Sequence, residues 1–321
     1  DALVGLVGSE ICIRDSSRTT PVSFMFRRFL LEFTCNAWRV SRLQVDTLAC
    51  RFIKGEEAKM AINPLAYDEQ GAGLPVVLIH GFPLNRKMWQ PQTESLARSG
   101  YRVICPDLQG FGESRLCGQP VTMSRYADAV ITLLDSLDID RAVIGGMSMG
   151  GYVLFNLVER YPQRLLGVMF LVTRAAADDA AGREKRTLLA TEVEDGNLRA
   201  VPDAFARVLF APQTPQEKPE LVSEFRQWME STSVQGVVAG LLAMRDREDY
   251  VDRLDQFNLP ALVVGAELDL AVPPEHARVL AGGLPDASLK IIPGAGHMVN
   301  LEQPEPFNQA LLEFLSRADL R

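Results

Sequence analysis

Histidine and cysteine are scarce in this sequence, which limits the metal and redox chemistry that it can support. The 321 residues include three histidines and five cysteines, and no close pair of cysteines resembles a metal or redox motif. We therefore expect no metal site. An odd number of cysteines without a pairing pattern favours a reducing compartment. The unpaired cysteines and the missing export signals together predict a cytoplasmic location.

Long apolar runs are missing as well. No uncharged apolar stretch reaches about 18 residues, the length at which a transmembrane helix becomes a candidate. The apolar segment 22–33 is interrupted by Arg27 and Arg28, and it lacks the order of a signal peptide. The net charge of -8 predicts an acidic surface, which repels nucleic-acid phosphates and anionic lipid. We expect neither nucleic acid nor a membrane as a partner.

The first part of the chain differs in composition from the rest. Residues 1–59 hold 9 Lys/Arg and 7 Asp/Glu, a net charge of +2, which leaves -10 for residues 60–321. The tripeptide Gly-Glu-Glu at 55–57 can be encoded by an uninterrupted purine run, and Met60 follows closely. Two interpretations stay open. Residues 1–59 are a translated leader ahead of a start at Met60, or they are a genuine, poorly ordered N-terminal extension.

From Met60 onward, short apolar runs alternate with longer helical patterns. The run Pro-Val-Val-Leu-Ile at 75–79 is apolar throughout, as in a strand buried on both faces of a parallel sheet. A pattern at 61–68 predicts an edge strand. Alternation of this kind indicates βαβ units and a parallel sheet covered by helices on both faces.

The alternation stops in the middle of the chain. Residues 174–253 contain no convincing strand pattern and predict three or four amphipathic helices. A helical insertion of this length within an α/β domain is typical of a lid. The sequence therefore predicts an α/β core over residues 60–173 and 254–321, with a helical cap over residues 174–253.

The strongest local motif is Gly146-Met147-Ser148-Met149-Gly150. It lies between an apolar strand pattern at 142–145 and a helical pattern that starts at Gly150. A serine on such a sharp turn projects its hydroxyl from the sheet, and the flanking glycines relieve crowding. The start of the helix directs free N–H groups towards the reacting oxygen. The motif predicts Ser148 as a nucleophile; the alternative is a glycine-rich turn without chemistry.

A serine nucleophile needs a base, and the base needs a carboxylate. His297 follows the last strand pattern in a loop of small residues, and Asp269 follows the strand pattern before it. Glu267, in the same loop, is a rival for Asp269, which is also a common turn-forming residue. The chain order Ser148, Asp269, His297 differs from the order in chymotrypsin-type and subtilisin-type enzymes.

Two backbone amides are predicted to hold the negatively charged oxygen that forms during nucleophilic attack. Met149 supplies one amide because it directly follows the nucleophile, and Phe82, in the loop after the strand at 75–79, is our candidate for the second. His80 is predicted to be a buried, hydrogen-bonded anchor of this loop. His276 is predicted to lie on a helix surface.

Five motifs in this order resemble the α/β-hydrolase superfamily. They are His80-Gly81-Phe82, Asp107-x-x-Gly110-Phe111-Gly112-Glu113-Ser114, Gly146-x-Ser148-x-Gly150-Gly151, Asp269-x-x-x-Pro273 and Gly296-His297. Over about residues 61–318 the chain looks most like small capped esterases, 3-oxoadipate enol-lactonases and cofactor-free perhydrolases. The resemblance implies a mostly parallel eight-stranded sheet with helices on both faces, a helical cap after the sixth strand, and no cofactor.

These observations together predict a serine carboxylesterase that cleaves a small-molecule ester through an acyl-enzyme intermediate. The candidate substrate-binding residues are Trp89, Met147, Arg174 and Trp228. The apolar ones also suit a protein core, and Arg174 also suits a surface salt bridge. Because Arg174 would pair with the carboxylate of an acid-bearing lactone, an enol-lactonase is the second hypothesis. A non-catalytic ligand-binding protein on the same fold is the third.

Overall fold

The described chain is built around one sheet. The computed structural model describes residues 64–116, 120–206, 208–317 and 320, so the predicted leader or extension at 1–59 lies outside the described residues. In the described part, the strands are β1 Tyr67–Gln70, β2 Leu74–Ile79, β3 Tyr101–Pro106, β4 Ala142–Met147, β5 Leu165–Leu171, β6 Ala261–Ala266 and β7 Ala287–Ile292.

Strands β2 to β7 run parallel to one another. The strand order is β1-β3-β2-β4-β5-β6-β7, and β1 runs antiparallel to β3. The register pairs Ile79 with Gly146 and Met147 with Leu171. The carboxyl ends of β2, β4 and β5 therefore meet at one edge of the sheet, which is where ligands bind in open α/β sheets.

The structure corrects two sequence predictions about the sheet. Among the described residues the sheet has seven strands, not the eight that the resemblance implies. The edge strand predicted at 61–68 starts only at Tyr67 and runs to Gln70. All four side chains of this strand are exposed, so no apolar alternation marked it in the sequence. Only residues 64–66 precede β1 in the described chain, which leaves no room there for another strand.

Helices connect the parallel strands. In the described chain they are α1 Gln90–Arg98, α2 Met123–Ser136, α3 Met149–Arg160, α4 Ala180–Glu194, α5 Ala200–Phe205, α6 Thr214–Glu217, α7 Pro219–Ser231, α8 Val234–Arg245, α9 Pro274–Gly283, α10 Val299–Glu302 and α11 Pro304–Leu315. Short 3-10 turns lie at Arg86–Trp89, Pro162–Arg164 and Val251–Gln256. No helix in the described ranges combines the length and the apolarity that crossing a membrane requires.

The two faces of the sheet carry separate hydrophobic cores, because successive side chains of a strand point to opposite faces. Val76 and Leu78 of β2 lie in one buried cluster with residues of α1 and α11. Val77 and Ile79 lie in the other cluster, with residues of α2, α3 and α9. The apolar run at 75–79 is thus buried on both sides, and the expectation of helices on both faces is confirmed.

A helical segment separates β5 from β6. It contains α4 to α8, more helices than the three or four that the sequence predicts, since the single turn α6 and the short α5 carry too few residues to show a period. The two ends of this segment are joined by hydrogen bonds. The N–H of Tyr250 donates to the carbonyl of Ala175 at 3.0 Å, and the N–H of Ala177 donates to the carboxylate of Asp249 at 2.9 Å. We call residues 174–178 and 244–250 the cap stem, after the helical cap that the sequence predicts over residues 174–253.

One buried carboxylate holds the cap stem together. Asp178 forms ion pairs with Arg174, Arg186 and Arg247, and Arg247 approaches it at 2.9 Å. The guanidinium of Arg247 also lies over the ring of Tyr152 in α3, 4.3 Å from the ring centroid. Burial alone would raise the pKa of Asp178, but hydrogen bonds from Arg247 and Arg186 hold it well below its ordinary value. This cluster therefore fastens both ends of the helical segment to the core.

Replacing this carboxylate should destabilise the protein. We expect Asp178→Asn to lower the free energy of unfolding by about 3 kcal/mol near neutral pH, because three arginines lose their buried counter-charge. The folded-state pKa of Asp178 is lowered, so its contribution is present above about pH 4 and is lost as pH falls further. Urea unfolding of both proteins at several pH values measures the effect.

The matched control is Asp203→Asn, which removes an exposed partner of Arg226 in the same helical segment. Exposed ion pairs contribute little, so this variant should unfold almost as the unmodified protein does. Equal unfolding curves for Asp178→Asn and the unmodified protein would show that the buried cluster does not hold the cap stem.

Candidate active site

The candidate nucleophile stands between β4 and α3. Ser148 has φ 52° and ψ -112°, and a non-glycine residue rarely adopts a positive φ. Its backbone is held on both sides. Its N–H donates to the carbonyl of Leu171 at 3.0 Å, and its carbonyl accepts from the hydroxyl of Thr173 at 2.8 Å. The half-buried side chain of Ser148 is therefore kept at one place on the carboxyl edge of the sheet.

Packing explains the two glycines that flank this serine. A Cβ atom on Gly146 would lie 2.2 Å from the carbonyl oxygen of Gly150. A Cβ atom on Gly150 would lie 2.4 Å from the carbonyl oxygen of Ile79. Both distances are well below the ~3.5 Å of a normal van der Waals contact, and the opposing atoms belong to the backbone. Helix α3 can begin this close to the sheet because both positions are glycine.

The structure brings His297 and Asp269 together. Nδ1 of His297 lies 2.7 Å from Oδ2 of Asp269, and both side chains are almost completely buried. The other oxygen, Oδ1, accepts hydrogen bonds from the N–H groups of Ala271 and Val272, both at 2.8 Å. A carboxylate fixed in this way accepts a hydrogen bond from the protonated Nδ1 and leaves Nε2 of the neutral ring as a hydrogen-bond acceptor. Asp269 thus forms the turn in its own loop and also orients His297.

Glu267, the rival of Asp269, points elsewhere. Its side chain is exposed, and Oε2 accepts from the N–H of Gly294 at 2.9 Å. Glu267 therefore braces the loop that carries His297 but does not contact the imidazole ring. Geometry favours Asp269 as the carboxylate partner.

Ser148 and His297 are not joined by a hydrogen bond within the described ranges. Both lie at the carboxyl edge of the sheet, and their neighbours Met147 and Met298 belong to the same buried cluster. Hydrogen bonds of this type are often long in an enzyme without substrate and shorten in the complex.

Two amides are available near the serine. Met149 is the first residue of α3, where N–H groups have no partner within the helix. The loop of Phe82 passes beside Ser148, since a Cβ atom on Gly81 would lie 3.5 Å from Cβ of Ser148. Within the described residues, the N–H groups of Phe82 and Met149 donate to no acceptor. Both can therefore receive a negatively charged oxygen.

His80 anchors this loop as the sequence predicts. Its ring is completely buried, with Nδ1 2.8 Å from the carbonyl of Gly81, while Nε2 accepts from the N–H of Leu108 at 2.9 Å. Burial lowers the pKa of His80, which keeps the ring neutral. His276 lies on α9 and is half-buried, so the predicted surface position holds only in part. Burial and, to a smaller extent, the charge of Arg174 lower its pKa.

A second loop supports the first. Asp107 is completely buried and accepts from the N–H of Arg86 at 2.7 Å and from the N–H of Glu113 at 2.9 Å. The hydroxyl of Ser114 donates to the carbonyl of Asp107 at 2.7 Å. The motif over residues 107–114 is therefore a closed turn whose hydrogen bonds fix the strand ends behind Phe82.

The candidate substrate-binding residues fall into different places. Trp89 is completely buried and stacks on Phe307, with ring centroids 6.4 Å apart, and Met147 is buried in the same cluster. Trp228 is half-buried on α7. Arg174 is committed to the ion pair with Asp178 in the cap stem. Core packing thus accounts for Trp89 and Met147. In the described ranges, no three His, Cys, Asp or Glu side chains are placed to hold a metal ion.

Contacts between the helical segment and the loop of Phe82 were not anticipated from the sequence. The centroid of the Phe82 ring lies 5.6 Å from that of Phe205 in α5. A Cβ atom on Gly240 of α8 would lie 2.9 Å from the nearest ring atom of Phe82. The hydroxyl of Thr232 donates to the carbonyl of Pro83 at 2.9 Å. These contacts join elements far apart in sequence, and no local pattern marks them.

Comparison with known proteins agrees with this architecture. The family model of the alpha/beta hydrolase fold matches residues 75–304, so the chain belongs to that family. Among solved structures, a thermophilic esterase from Thermogutta terrifontis is 38% identical, with a TM-score of 0.76 over 78% of this chain and 92% of the esterase.

Two further relatives have other activities in their names. The enol-lactonase from Burkholderia xenovorans LB400 is 26% identical, with a TM-score of 0.73, over 79% of this chain and 96% of the lactonase. The non-heme chloroperoxidase CPO-A1 from Kitasatospora aureofaciens is 29% identical over 78% of this chain and 95% of its own length. The chain therefore belongs to the alpha/beta hydrolase family and is similar to members named as esterases, enol-lactonases and non-heme haloperoxidases.

A side chain at Gly150 should disrupt the serine turn. We expect Gly150→Ala to lower the free energy of unfolding by about 2 kcal/mol, because the new methyl group meets the backbone oxygen of Ile79. Gly282→Ala is the matched control, since a Cβ atom in that exposed turn of α9 meets nothing within 4 Å. This control should be neutral or slightly more stable. Thermal unfolding of the two variants compares them, and equal stabilities would contradict the packing argument.

Proposed function

We propose that this chain is a serine carboxylesterase, with Ser148 as nucleophile, His297 as base and Asp269 as the carboxylate that orients the base. The observation that carries the proposal is the 2.7 Å contact between Nδ1 of His297 and Oδ2 of Asp269, at the sheet edge that also holds the strained turn of Ser148. An imidazole held through Nδ1 presents Nε2 to the hydroxyl proton of a serine.

The proposed reaction has two acyl-transfer steps. Oγ of Ser148 attacks the ester carbonyl carbon while Nε2 of His297 takes the hydroxyl proton. The N–H groups of Phe82 and Met149 donate to the oxygen that becomes negative. The C–O bond to the alcohol then breaks, and His297 returns its proton to the leaving oxygen. Water, deprotonated by His297, then attacks the acyl carbon. The bond from this carbon to Oγ of Ser148 breaks, His297 returns the proton to Oγ, and the acid is released.

The surroundings of Phe82 favour an apolar acyl group. Its ring is covered by Phe111 at a centroid distance of 6.0 Å and by Phe205 of the helical segment at 5.6 Å. We propose that residues 174–253 act as the cap over this region. Arg174, which an acidic substrate would need as a partner, already pairs with Asp178. This commitment favours neutral esters over substrates that carry a carboxylate.

An enol-lactonase is the second candidate, because the relative from Burkholderia xenovorans carries that name and because a lactone is cleaved by the same steps. It differs in the partner that the substrate requires. An acid-bearing lactone would have to share the guanidinium of Arg174 with Asp178, whereas a neutral ester makes no such demand on this pair. A ligand-binding protein without turnover is the third candidate, and the pairing of His297 with Asp269 argues against it.

The decisive measurement is turnover of a series of p-nitrophenyl esters of increasing acyl length, together with an ester that carries a carboxylate. We expect hydrolysis that favours the neutral esters and a loss of kcat by about 10⁴ or more in Ser148→Ala. Labelling of Ser148 by a fluorophosphonate without turnover would favour the ligand-binding protein. Preference for the acidic ester would favour the lactonase, and full activity of Ser148→Ala would refute the proposal.

The two carboxylates near the base should behave differently. We expect Asp269→Asn to lower kcat by about 10³ to 10⁴, because the amide no longer fixes the ring tautomer or stabilises the protonated ring. Glu267→Gln is the control from the same loop, and it should change kcat little, since the side chain of Glu267 accepts from the N–H of Gly294 and an amide oxygen can accept the same bond. Steady-state kinetics with the best ester compares them. A larger loss in Glu267→Gln would reverse the assignment.

A further inference from the structure

Glu302 is a buried carboxylate that the proposed reaction does not use. It ends α10, five positions beyond His297, and its relative exposure is 4%. Oε2 accepts from the N–H of Gly296 at 2.9 Å. Oε1 accepts from the N–H of Ala211 at 2.8 Å and from the hydroxyl of Thr214 at 2.5 Å. Its two oxygens therefore bind two different parts of the chain.

One of these parts is the loop of the proposed base. Gly296 directly precedes His297, and a Cβ atom on Gly296 would lie 2.4 Å from the backbone nitrogen of Ala211. On the other side of the base, the N–H of Met298 donates to the carbonyl of Leu209 at 3.0 Å. The backbone on both sides of His297 is thus in direct contact with the proposed cap.

The other part belongs to the proposed cap itself. Residues 209–214 follow α5 and end at Thr214, the first residue of α6. The side-chain amide of Gln213 donates to the carbonyl of Gly294 at 2.8 Å. The ammonium group of Lys218, ahead of α7, donates to the backbone carbonyl of Glu302 at 2.8 Å. A buried carboxylate with three neutral donors is stable only while all of them stay in place. Movement of the segment 209–214 therefore disturbs Glu302.

We propose that Glu302 is a positioning residue that couples the cap to the base. It fixes the backbone at Gly296, so that His297 keeps its ring on Asp269 only while residues 209–214 are seated on the loop. The alignment of His297 and the seating of the cap then change together. This inference rests on the proposed function for its kinetic consequence, but the coupling itself is a property of the structure.

The first test is Glu302→Gln. The new NH₂ group has to face either the N–H of Gly296 or the N–H of Ala211, and neither of these can accept a hydrogen bond. We expect kcat for a short p-nitrophenyl ester to fall about tenfold to a hundredfold, since small displacements of a catalytic group have effects of this size. KM should change little, because Glu302 lies behind the base. Glu305→Gln, an exposed carboxylate in the first turn of α11, is the matched control. Unchanged kcat in a folded Glu302→Gln protein would overturn the proposal.

The second test changes a residue of the proposed cap that contacts Glu302, and it remains informative if Glu302→Gln does not fold. Thr214→Val removes one hydroxyl donor and preserves the shape of the side chain. Thr214 bonds neither to His297 nor to Asp269, so a lower kcat with little change in KM is expected only if Glu302 carries the effect. Wild-type kinetics in a folded Thr214→Val protein would overturn the coupling.

A spectroscopic measurement separates this inference from the proposed function. The chain has three histidines, so the ring proton resonances of His297 can be assigned by NMR with variants of His80 and His276. We expect the His297 resonances to shift in Thr214→Val and to stay in place in Glu305→Gln, whether or not the protein turns over an ester. Absence of esterase activity would refute the function alone. Unshifted His297 resonances in Thr214→Val would refute the coupling alone.

Discussion

The loops at the carboxyl edge of the sheet depend on buried carboxylates whose oxygens are hydrogen-bonded. Asp107 closes the turn behind Phe82, Asp178 fastens the cap stem, Asp269 orders the turn beside His297, and Glu302 joins that loop to residues 209–214. A buried charge without partners costs several kcal/mol, so each carboxylate requires one arrangement of the backbone around it. Irregular loops gain in this way the rigidity that strands obtain from ladder hydrogen bonds.

The sequence predicts best those features that depend on neighbours in the chain. The buried strand at 75–79 and the turn of Ser148 have local causes, namely an apolar run and two glycines without room for a side chain. The pair of His297 and Asp269 was also predictable, because parallel strands bring their carboxyl ends to one edge. The choice between Asp269 and Glu267 needed coordinates, since both residues follow β6 at positions that suit a base partner.

Features that depend on distant contacts were beyond the sequence. Trp89 is an aromatic residue near the predicted site, yet it packs on Phe307 in the core, and only the position of α11 explains why. Arg174 lies at the expected mouth of the pocket, but its partner Asp178 also binds Arg247 from the far end of the helical segment. Glu302 had one visible signal, a carboxylate in an apolar stretch shortly after His297, and two of its partners, Ala211 and Thr214, are some ninety residues away.

The partners of these carboxylates differ in a way that suits their proposed roles. Asp178 is surrounded by three arginines, and Arg86 pairs with Asp107, so their negative charges are compensated within the fold. Asp269 accepts only from two backbone amides and from His297, and no arginine or lysine contacts it in the described ranges. In the proposed acyl transfer, its charge would therefore be available to stabilise a protonated imidazole. An arginine on Asp269 would keep the loop in place but would weaken the proposed stabilisation, so the neutral donors around Asp269 suit the role that we propose for it.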